Sequence, residues 1–218
     1  LNVTVPHKEA VMRLVTPDAM ARAVGAINTI DFRTNTGTNT DVQGFIDDLK
    51  AHHIPIQGEM VAVLGAGGAA RAAVFGLVRE GATVVVVNRT MQKAQVMLAD
   101  LTVSAGIRGV EAVTLDDAVE MPLSLIVNCT SAGLYPNIND TPWIDGVPFP
   151  RNIIVYDMIY RPMTTKFMAQ AEKAGGRAFG GLGMLVRQGA LAFTLWTGVD
   201  APFETMYATA LIELALKG

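Results

Sequence analysis

A glycine-rich stretch at residues 65–70 directly follows the apolar run Met60–Leu64, and this succession limits the folds open to the chain. Five consecutive apolar residues are typical of a strand buried on both faces of a parallel sheet. Gly65, Gly67 and Ala70 match the G-x-G-x-x-G/A spacing, which allows a tight turn, close approach of a pyrophosphate and packing of a helix on the strand. The pattern predicts a dinucleotide-binding βαβ unit. The alternative is a turn that only packs a helix against a sheet.

The helix that follows this turn is expected to begin with Gly68 and Ala69. Free backbone N–H groups and the helix dipole favour a bound anion at such a place. We therefore count Gly68 and Ala69, together with Gly65 and Gly67, as expected cofactor contacts. Arg71, in the first turn, adds a positive charge.

The next predicted strand, Thr83–Val87, ends in the sequence Asn88-Arg89-Thr90. NAD-binding enzymes usually place an acid here, which binds the ribose 2′-hydroxyl, and this chain has none. Arg89 can pair with a 2′-phosphate and lie against the adenine, Asn88 and Thr90 can donate hydrogen bonds, and Lys93 lies one turn further on. These residues predict NADP as the cofactor. The alternative is that Thr90 caps a helix and Arg89 is solvated.

Strands and helices alternate along the chain, which predicts βαβ units and a parallel sheet. We expect the middle of the chain to form one doubly wound domain, and the first forty residues to pack against two C-terminal helices. The expected strands are 2–5, 26–32, Met60–Leu64, Thr83–Val87, 110–115, 124–127 and 153–156. The expected helices are 6–14, 16–24, Asp41–Ala51, 68–80, 90–101, 164–174, 184–196 and 202–217, with a turn around Gly37 and a surface loop at 135–150.

Charge and cysteine usage exclude several classes of protein. The net charge is −3 and no run of Lys or Arg is present, which argues against a nucleic-acid partner. Cys129 is the only cysteine and the three histidines show no metal-ligand spacing, so we expect a reducing cytoplasm, no internal disulfide and no metal. The apolar stretch 60–78 contains Arg71 and four glycines, so neither a membrane span nor a membrane partner is expected, and no signal-peptide pattern opens the sequence. A small-molecule substrate is expected, and a homodimer is left open.

Four polar residues occupy places where chemistry is expected. Lys8 is predicted to lie in the first turn of a helix, where the dipole disfavours a cation and so favours the neutral amine of a general base. Asn28 ends a β run, Asp41 begins a helix, and Gln188 lies in an apolar helix. Each also has a plain structural explanation: a solvated lysine, an N-cap, or a polar group that satisfies buried backbone. The pattern alone leaves both explanations open.

Taken together and in this order, these residues resemble the shikimate dehydrogenase family, and the resemblance spans nearly the whole chain. Its motifs are Asn2-Val3-Thr4-Val5-Pro6-His7-Lys8, Gly25-Ala26-Ile27-Asn28-Thr29, Asn39-Thr40-Asp41, Gly65-Ala66-Gly67-Gly68-Ala69-Ala70-Arg71, Asn88-Arg89-Thr90, Asn128-Cys129-Thr130-Ser131-Ala132-Gly133, Tyr156-Asp157-Met158-Ile159-Tyr160, Gly181-Leu182-Gly183-Met184-Leu185 with Gln188, and Trp196-Thr197-Gly198.

The resemblance implies two α/β domains with a cleft between them, and reversible NADP-linked oxidation of shikimate to 3-dehydroshikimate. It implies that Lys8 and Asp41 are the catalytic pair, in which Lys8 exchanges the hydroxyl proton and Asp41 orients the lysine. Substrate-binding positions would be Thr4, Asn28, Tyr160 and Gln188, and positions near the nicotinamide Met158 and Gly181. The Rossmann-type cofactor domain would be residues 42–182, and the substrate or catalytic domain residues 1–41 with 183–218.

Three departures from the family pattern bear on this expectation. Val42 stands where the family commonly has Gly, which is expected to shift the helix start slightly, and Gly180 stands where Asp or Asn is common. The family also has an N-terminal strand–helix segment with a Ser-x-Ser pair for the substrate carboxylate. Because the sequence here begins after that segment, we expect the catalytic domain to be truncated. Two alternatives stay open: a quinate/shikimate dehydrogenase using NAD or NADP, and a catalytically impaired NADP(H)-binding module.

Overall fold

The computed structural model describes residues 1–144 and 146–217, and the first forty residues form a small sheet of three strands. Strand β3 lies in the middle, parallel to β1 and antiparallel to β2. The start of the chain pairs with β2 through hydrogen bonds in both directions between Leu1 and Ile30. In chain order the elements are a 3-10 helix (Ala10–Arg13), β1 (Thr16–Pro17), α1 (Ala19–Val24), β2 (Thr29–Asp31) and β3 (Thr36–Thr38).

A second sheet, of six parallel strands, follows helix α2 (Asp41–Ala51). Its strand order is β6-β5-β4-β7-β8-β9, the order of a doubly wound Rossmann sheet, and the predicted α/β fold class is confirmed. The order reverses between β4 and β7, and a crevice forms outside the carboxyl ends of the strands at such a place. The elements are β4 (Met60–Leu64), α3 (Gly68–Arg79), β5 (Thr83–Val87), α4 (Met91–Ala105), β6 (Glu111–Val113), α5 (Leu115–Val119), β7 (Leu125–Asn128), β8 (Ile154–Asp157), α6 (Lys166–Lys173) and β9 (Arg177–Gly180).

Two C-terminal helices, α7 (Leu182–Thr197) and α8 (Phe203–Lys217), return to the small sheet. Helix α7 packs against α2, and the Trp196 Nε1–H donates to the Ile30 carbonyl at 3.0 Å. All six strands of the large sheet lie within 42–182; the division of the chain at those residues stays a prediction, and residue 218 lies outside the described part. Within the described ranges, no helix is long and apolar enough to cross a membrane.

The core explains why strand β4 is apolar at successive positions. Side chains of a strand alternate between the two faces of its sheet. Val61 and Val63 join the core cluster that contains α3, whereas Ala62 and Leu64 join the cluster on the other face, which contains residues of α5 and α6. Because helices cover both faces, both sets of side chains are buried, and the uninterrupted apolar run follows from this burial.

Several sequence predictions near the N-terminus are wrong. No continuous helix covers residues 6–14, and the single 3-10 turn begins at Ala10, so Lys8 precedes it and the helix-dipole argument does not apply. Residues 2–5 form one isolated bridge instead of a strand. Thr16 lies in β1, and Asp18 is the N-cap of α1, because its carboxylate accepts the Ala21 N–H at 2.7 Å.

Other differences concern short elements. Gly37 lies within strand β3, where an added Cβ would approach Ile27 and Val15, so glycine is needed for packing and not for a turn. Helix α5 and strand β9 were not expected, because five and four residues are too few to show a clear periodicity. Helix α2, by contrast, has the predicted bounds.

Candidate active site

The glycine-rich turn lies at the crevice between β4 and β7. Gly65 follows β4 with φ +115°, a conformation that favours glycine, and a Cβ there would lie 3.3 Å from the backbone of Cys129, just after β7. An added Cβ on Gly67 would meet nothing within 4 Å, so the turn faces open space. Helix α3 begins at Gly68 and points its free N–H groups toward the same space.

A cavity of about 620 Å³ opens beside this turn, a volume in the usual range for a small-molecule or cofactor site. Gly67, Asn88, Thr90 and Lys93, all predicted cofactor contacts, line it. The Asn88 amide donates to the Thr90 carbonyl at 2.8 Å, which folds the end of β5 around the cavity rim. Arg89 is exposed, and the described residues give it no acidic partner, so its guanidinium is available to an anion. The open turn and the basic rim are what a phosphorylated nucleotide requires.

Lys8 and Asp41 form a hydrogen-bonded ion pair at one edge of this region. The Lys8 amine donates to Asp41 Oδ2 at 2.7 Å, and the side chains are 13% and 4% exposed. Asp41 is the first residue of α2 but not its cap, because Asn39 Oδ1 accepts the N–H groups of Asp41 and Val42 at 3.0 and 3.3 Å. The capping explanation for Asp41 is therefore wrong, and its carboxylate is free to hold the lysine.

Asn28 connects this pair to the C-terminal helices. Its amide nitrogen lies 2.9 Å from Asp41 Oδ1 and 3.1 Å from Gln188 Oε1. Its side-chain oxygen Oδ1 accepts the Thr40 N–H at 2.8 Å, so the side-chain amide cannot rotate freely. Four residues that are far apart in the chain thus form one connected polar chain, Lys8–Asp41–Asn28–Gln188.

The lysine stem joins the polar chain to the nucleotide turn. A Cβ placed on Gly68 would lie 3.1 Å from the Lys8 Cβ and 3.4 Å from its Cδ. The first residue of α3 therefore packs directly on the lysine, and a larger residue at position 68 would displace it. The lysine stem, which carries the amine bound to Asp41, consequently lies beside the start of the nucleotide-binding helix.

The other predicted site residues lie at different distances from this crevice. Met158 follows β8 and donates its N–H to the Asn128 carbonyl at 3.0 Å; a Cβ on Gly181 would overlap the Met158 carbonyl, so the two residues are in close contact. Thr4 is exposed. Tyr160 lines a second cavity, of about 370 Å³, with residues of α8, and no hydrogen bond joins it to the polar chain within the described residues.

Sequence reasoning did not assign a role to the buried hydroxyls that support Asn28. The hydroxyls of Thr29 and Thr40 lie 3.0 and 3.2 Å from Asn28 Oδ1. Both threonines belong to family motifs, but their shared target is visible only in the structure, where Thr29 lies in β2 and Thr40 directly precedes α2. The available signal in the sequence is the adjacent polar pair Asn28 and Thr29, which is buried at the start of β2.

Comparison with known proteins places this geometry in a family. The family models that match are the shikimate dehydrogenase substrate binding domain at residues 1–30, shikimate/quinate 5-dehydrogenase at 48–134, and the shikimate 5′-dehydrogenase C-terminal domain at 181–211. The shikimate dehydrogenase (NADP⁺) of Methanocella arvoryzae is 40% identical over 96% of this chain and 77% of its own. The chain belongs to the shikimate dehydrogenase family.

Solved structures of the family have the same fold. The shikimate 5-dehydrogenase of Thermus thermophilus in complex with NADP(H) and shikimate matches 96% of this chain and 77% of its own, with a TM-score of 0.83 and 38% identity. The quinate dehydrogenase of Corynebacterium glutamicum in complex with NAD matches 97% and 77%, with a TM-score of 0.83 and 28% identity. The resemblance read from the motifs is thus confirmed across the chain.

The two substitutions relative to the family pattern fit the fold. Helix α2 begins at Asp41, so Val42 does not displace the helix start as expected. Val42 is buried, and its Cγ1 would lie 3.4 Å from a Cβ on Gly76 of α3, so it packs where α2 meets α3. Gly180 pairs with Asp157 at the end of β9, and the structure suggests no further role for it.

A buried carboxyl group in the family motif at β8 carries a testable pH dependence. Burial raises the pKa of Asp157 to about 6 from the ordinary 3.8, and hydrogen bonds from Thr165, Ile159 and Asn128 lower it in part. Because the folded protein holds this proton to a higher pH than the unfolded chain, the group favours folding at low pH. This contribution is lost as the pH rises from 3.8 to about 6.

In the parent protein, ionisation of Asp157 is therefore expected to lower the free energy of unfolding by at most about 3 kcal/mol as the pH rises through this range. Asp157→Asn, which has no ionisable group at this position, should not show that decrease. Urea unfolding of both proteins at pH values on either side of the window measures it. Comparing the two proteins cancels the contributions of all other titrating groups. Parallel stability–pH curves would show that Asp157 is ionised in the same range in the folded and unfolded states.

Proposed function

We propose that this chain catalyses the reversible oxidation of shikimate to 3-dehydroshikimate with NADP. The observation that carries the proposal is the Lys8–Asp41 ion pair, 2.7 Å long and mostly buried, packed against the first residue of the nucleotide-binding helix. An amine and a carboxylate at that place can handle the proton of a secondary alcohol. The curated relatives named shikimate dehydrogenase (NADP⁺) support the same reaction.

The lining of the cavity by Gly67, Asn88, Thr90 and Lys93 supports part of the proposed set of cofactor contacts. Gly65 and Gly67 let the backbone approach the pyrophosphate, and the N–H groups of Gly68 and Ala69 at the start of α3 bind it. Asn88, Arg89, Thr90 and Lys93 would hold the 2′-phosphate, while Met158 and Gly181 would lie near the nicotinamide. NADP, when bound, supplies the hydride acceptor.

The chain's own residues manage the proton and the substrate. In the oxidation direction Lys8 Nζ, as the neutral amine, takes the proton of the substrate hydroxyl, and the ammonium that forms is held by Asp41 Oδ2 in the observed ion pair. In the reduction direction that ammonium returns the proton to the ketone oxygen. Asn28 holds the other oxygen of Asp41, so the carboxylate stays oriented toward the amine. Thr4, Asn28, Tyr160 and Gln188 would bind the hydroxyl and carboxylate groups of the substrate. These roles, together with a cytoplasmic location and a homodimer, are proposals.

The direct test is an assay of NADPH formation by the purified chain with shikimate and NADP⁺. We expect turnover with shikimate to exceed turnover with quinate, and NADP⁺ to be preferred to NAD⁺. A preference for quinate with NAD⁺ would favour the second candidate, which the similarity to the quinate dehydrogenase structure suggests. NADPH binding without turnover of either acid would indicate a nucleotide-binding module.

Arg89→Asp is expected to weaken NADPH binding far more than NADH binding, because the exposed guanidinium would pair with the 2′-phosphate and an acid there would repel it. Loss of a charge-assisted hydrogen bond alone corresponds to about tenfold or more in affinity. Fluorescence titration with each cofactor measures the ratio. Arg108→Asp, a charge reversal at another exposed arginine of the same domain, serves as the control. Equal weakening of both cofactors by Arg89→Asp would rule out its role in cofactor choice.

A further inference from the structure

Arg71 is a buried cation at an unfavourable place. It lies in the first turn of α3, where the helix dipole is positive, and it is only 7% exposed. Its Nη2 donates to Asp100 of α4 at 2.6 Å, although the Asp100 side chain is about half exposed. A single half-exposed carboxylate offsets only part of the free-energy cost of burying the guanidinium, which suggests that Arg71 has a second partner.

The second candidate partner is Glu9. The Arg71 Nε–H is buried without a hydrogen-bond acceptor in the described structure, and a buried donor without an acceptor costs free energy. Glu9 Oε2 lies 3.7 Å from Nε, just beyond hydrogen-bond distance. A small movement of the Glu9 side chain toward Arg71 would satisfy this donor.

Glu9 also links the nucleotide cavity to the lysine. Both Glu9 and Arg71 line the cavity beside the glycine-rich turn. Glu9 directly follows Lys8, whose stem packs on Gly68, so the segment touches the first turn of α3 at two places. The Lys8 carbonyl accepts the Ile27 N–H at 2.8 Å, which fixes the segment on its other side. A change at the Glu9–Arg71 contact is therefore transmitted to Lys8 through one peptide unit.

We propose that Glu9 and Arg71 form a positioning pair that couples occupation of the nucleotide cavity to the placement of Lys8; the proposal rests on the proposed function. A nucleotide in the cavity excludes water, which strengthens the attraction between the two charges and removes the solvent that competes for Glu9. The carboxylate then closes on Arg71 Nε and holds the Lys8 segment against α3. Both residues act through Lys8 and not on the substrate.

Hydrogen exchange with and without NADPH tests the coupling without relying on activity. The reporters are the amides of Val11, Met12 and Leu14, which are hydrogen-bonded within this segment. NADPH is expected to slow their exchange by about tenfold in the parent protein, the effect of one added charge-assisted hydrogen bond. Glu9→Gln should abolish most of this protection. Arg71→Lys should do the same, because an ammonium cannot reach Glu9 and Asp100 with the fixed fork of a guanidinium.

Asp100→Asn is the matched control, since it removes the other ion pair of Arg71 without touching the Lys8 segment. It should retain the NADPH-induced protection. Full protection in Glu9→Gln, equal loss in Asp100→Asn, or no effect of NADPH on the parent protein would each overturn the proposal. The first outcome would mean that a cofactor phosphate, and not Glu9, meets the guanidinium.

Steady-state kinetics give a second readout that a purely structural role would not move. Glu9→Gln should lower kcat for shikimate, because the variant disturbs the lysine, and should raise KM for NADP⁺ by no more than about tenfold, because the coupling between the pair and the nucleotide is reciprocal. If the parent protein turns over shikimate but NADPH does not slow hydrogen exchange in the segment, the positioning pair is rejected and the proposed function is retained. Protection without any turnover would reject the proposed function and leave the coupling supported.

Discussion

Replacing Lys8 by methionine is expected to lower kcat for shikimate oxidation by about 10²–10⁴, the usual contribution of a positioned acid–base group. Methionine keeps an unbranched stem, so the contact with Gly68 is largely retained, while the amine that bonds to Asp41 at 2.7 Å is lost. Because the amine acts at the chemical step, NADPH affinity should stay within about threefold of the parent. Initial rates and fluorescence titration on the same preparations measure both quantities.

Lys50→Met is the matched control for this variant. Lys50, in the last turn of α2, forms an exposed ion pair with Glu80 at the end of α3, and its loss should leave kcat unchanged. A decrease in kcat of only a few-fold for Lys8→Met, or an equal decrease for Lys50→Met, would contradict a proton-transfer role for Lys8.

Asp48→Ala is expected to reduce the free energy of unfolding by about 3–5 kcal/mol, the cost of breaking a buried ionic cluster. Asp48 is 2% exposed and accepts hydrogen bonds from the Tyr156 hydroxyl at 2.7 Å and from Arg187 Nε at 3.1 Å. It therefore joins α2, β8 and α7, and its removal leaves a buried hydroxyl and a largely buried guanidinium without their acceptor. Urea unfolding at neutral pH measures the loss.

The neighbouring Asp47 provides the control, because it is the same residue type on the same helix. Its carboxylate accepts an exposed hydrogen bond from Gln43, so Asp47→Ala should change stability by less than about 0.5 kcal/mol. Asp48→Asn should lie between the two, since an amide oxygen can still accept one of the bonds. Equal stability of the two alanine variants would mean that solvent replaces the cluster without penalty.

Local patterns predicted the part of the fold that depends on neighbouring residues. The strand Met60–Leu64 and the tight turn after it were predicted correctly. Burial on both faces requires consecutive apolar residues and the turn requires glycine, so each feature is visible in a short stretch of sequence. The strand that precedes Asn88-Arg89-Thr90 was predicted with its observed bounds, Thr83–Val87, for the same reason. Helix α2 has clear apolar periodicity, and its bounds were predicted as well.

The errors arose where tertiary contacts decide the conformation. Residues 6–14 contain good helix formers, yet the chain there is held by the bond from Ile27 N–H to the Lys8 carbonyl and forms only a short 3-10 turn. Asp48 was not recognised because its main partner, Tyr156, lies 108 positions away in the sequence. The contact of Asn28 with Gln188 spans 160 positions, and only family resemblance connected these two residues in advance.

A role for Lys8 was predicted both by the family resemblance and by an expected helix start, and the structure contradicts the helix start. The helix-dipole argument fails because no helix begins before Ala10. What remains is placement: the amine is held by Asp41 at one end, and its stem packs on the first residue of α3 at the other. The proposed chemistry therefore depends on the position of Lys8 beside the nucleotide turn and not on a helix dipole.

A structure of the chain with NADP⁺ and shikimate bound together is the measurement that bears most directly on this placement. We predict that the reacting hydroxyl of shikimate lies about 2.6–3.2 Å from Lys8 Nζ, on the side of the crevice that faces the glycine-rich turn. A shikimate molecule bound away from Lys8, or a lysine amine turned out of the crevice when both ligands are present, would contradict the proposed dehydrogenase mechanism.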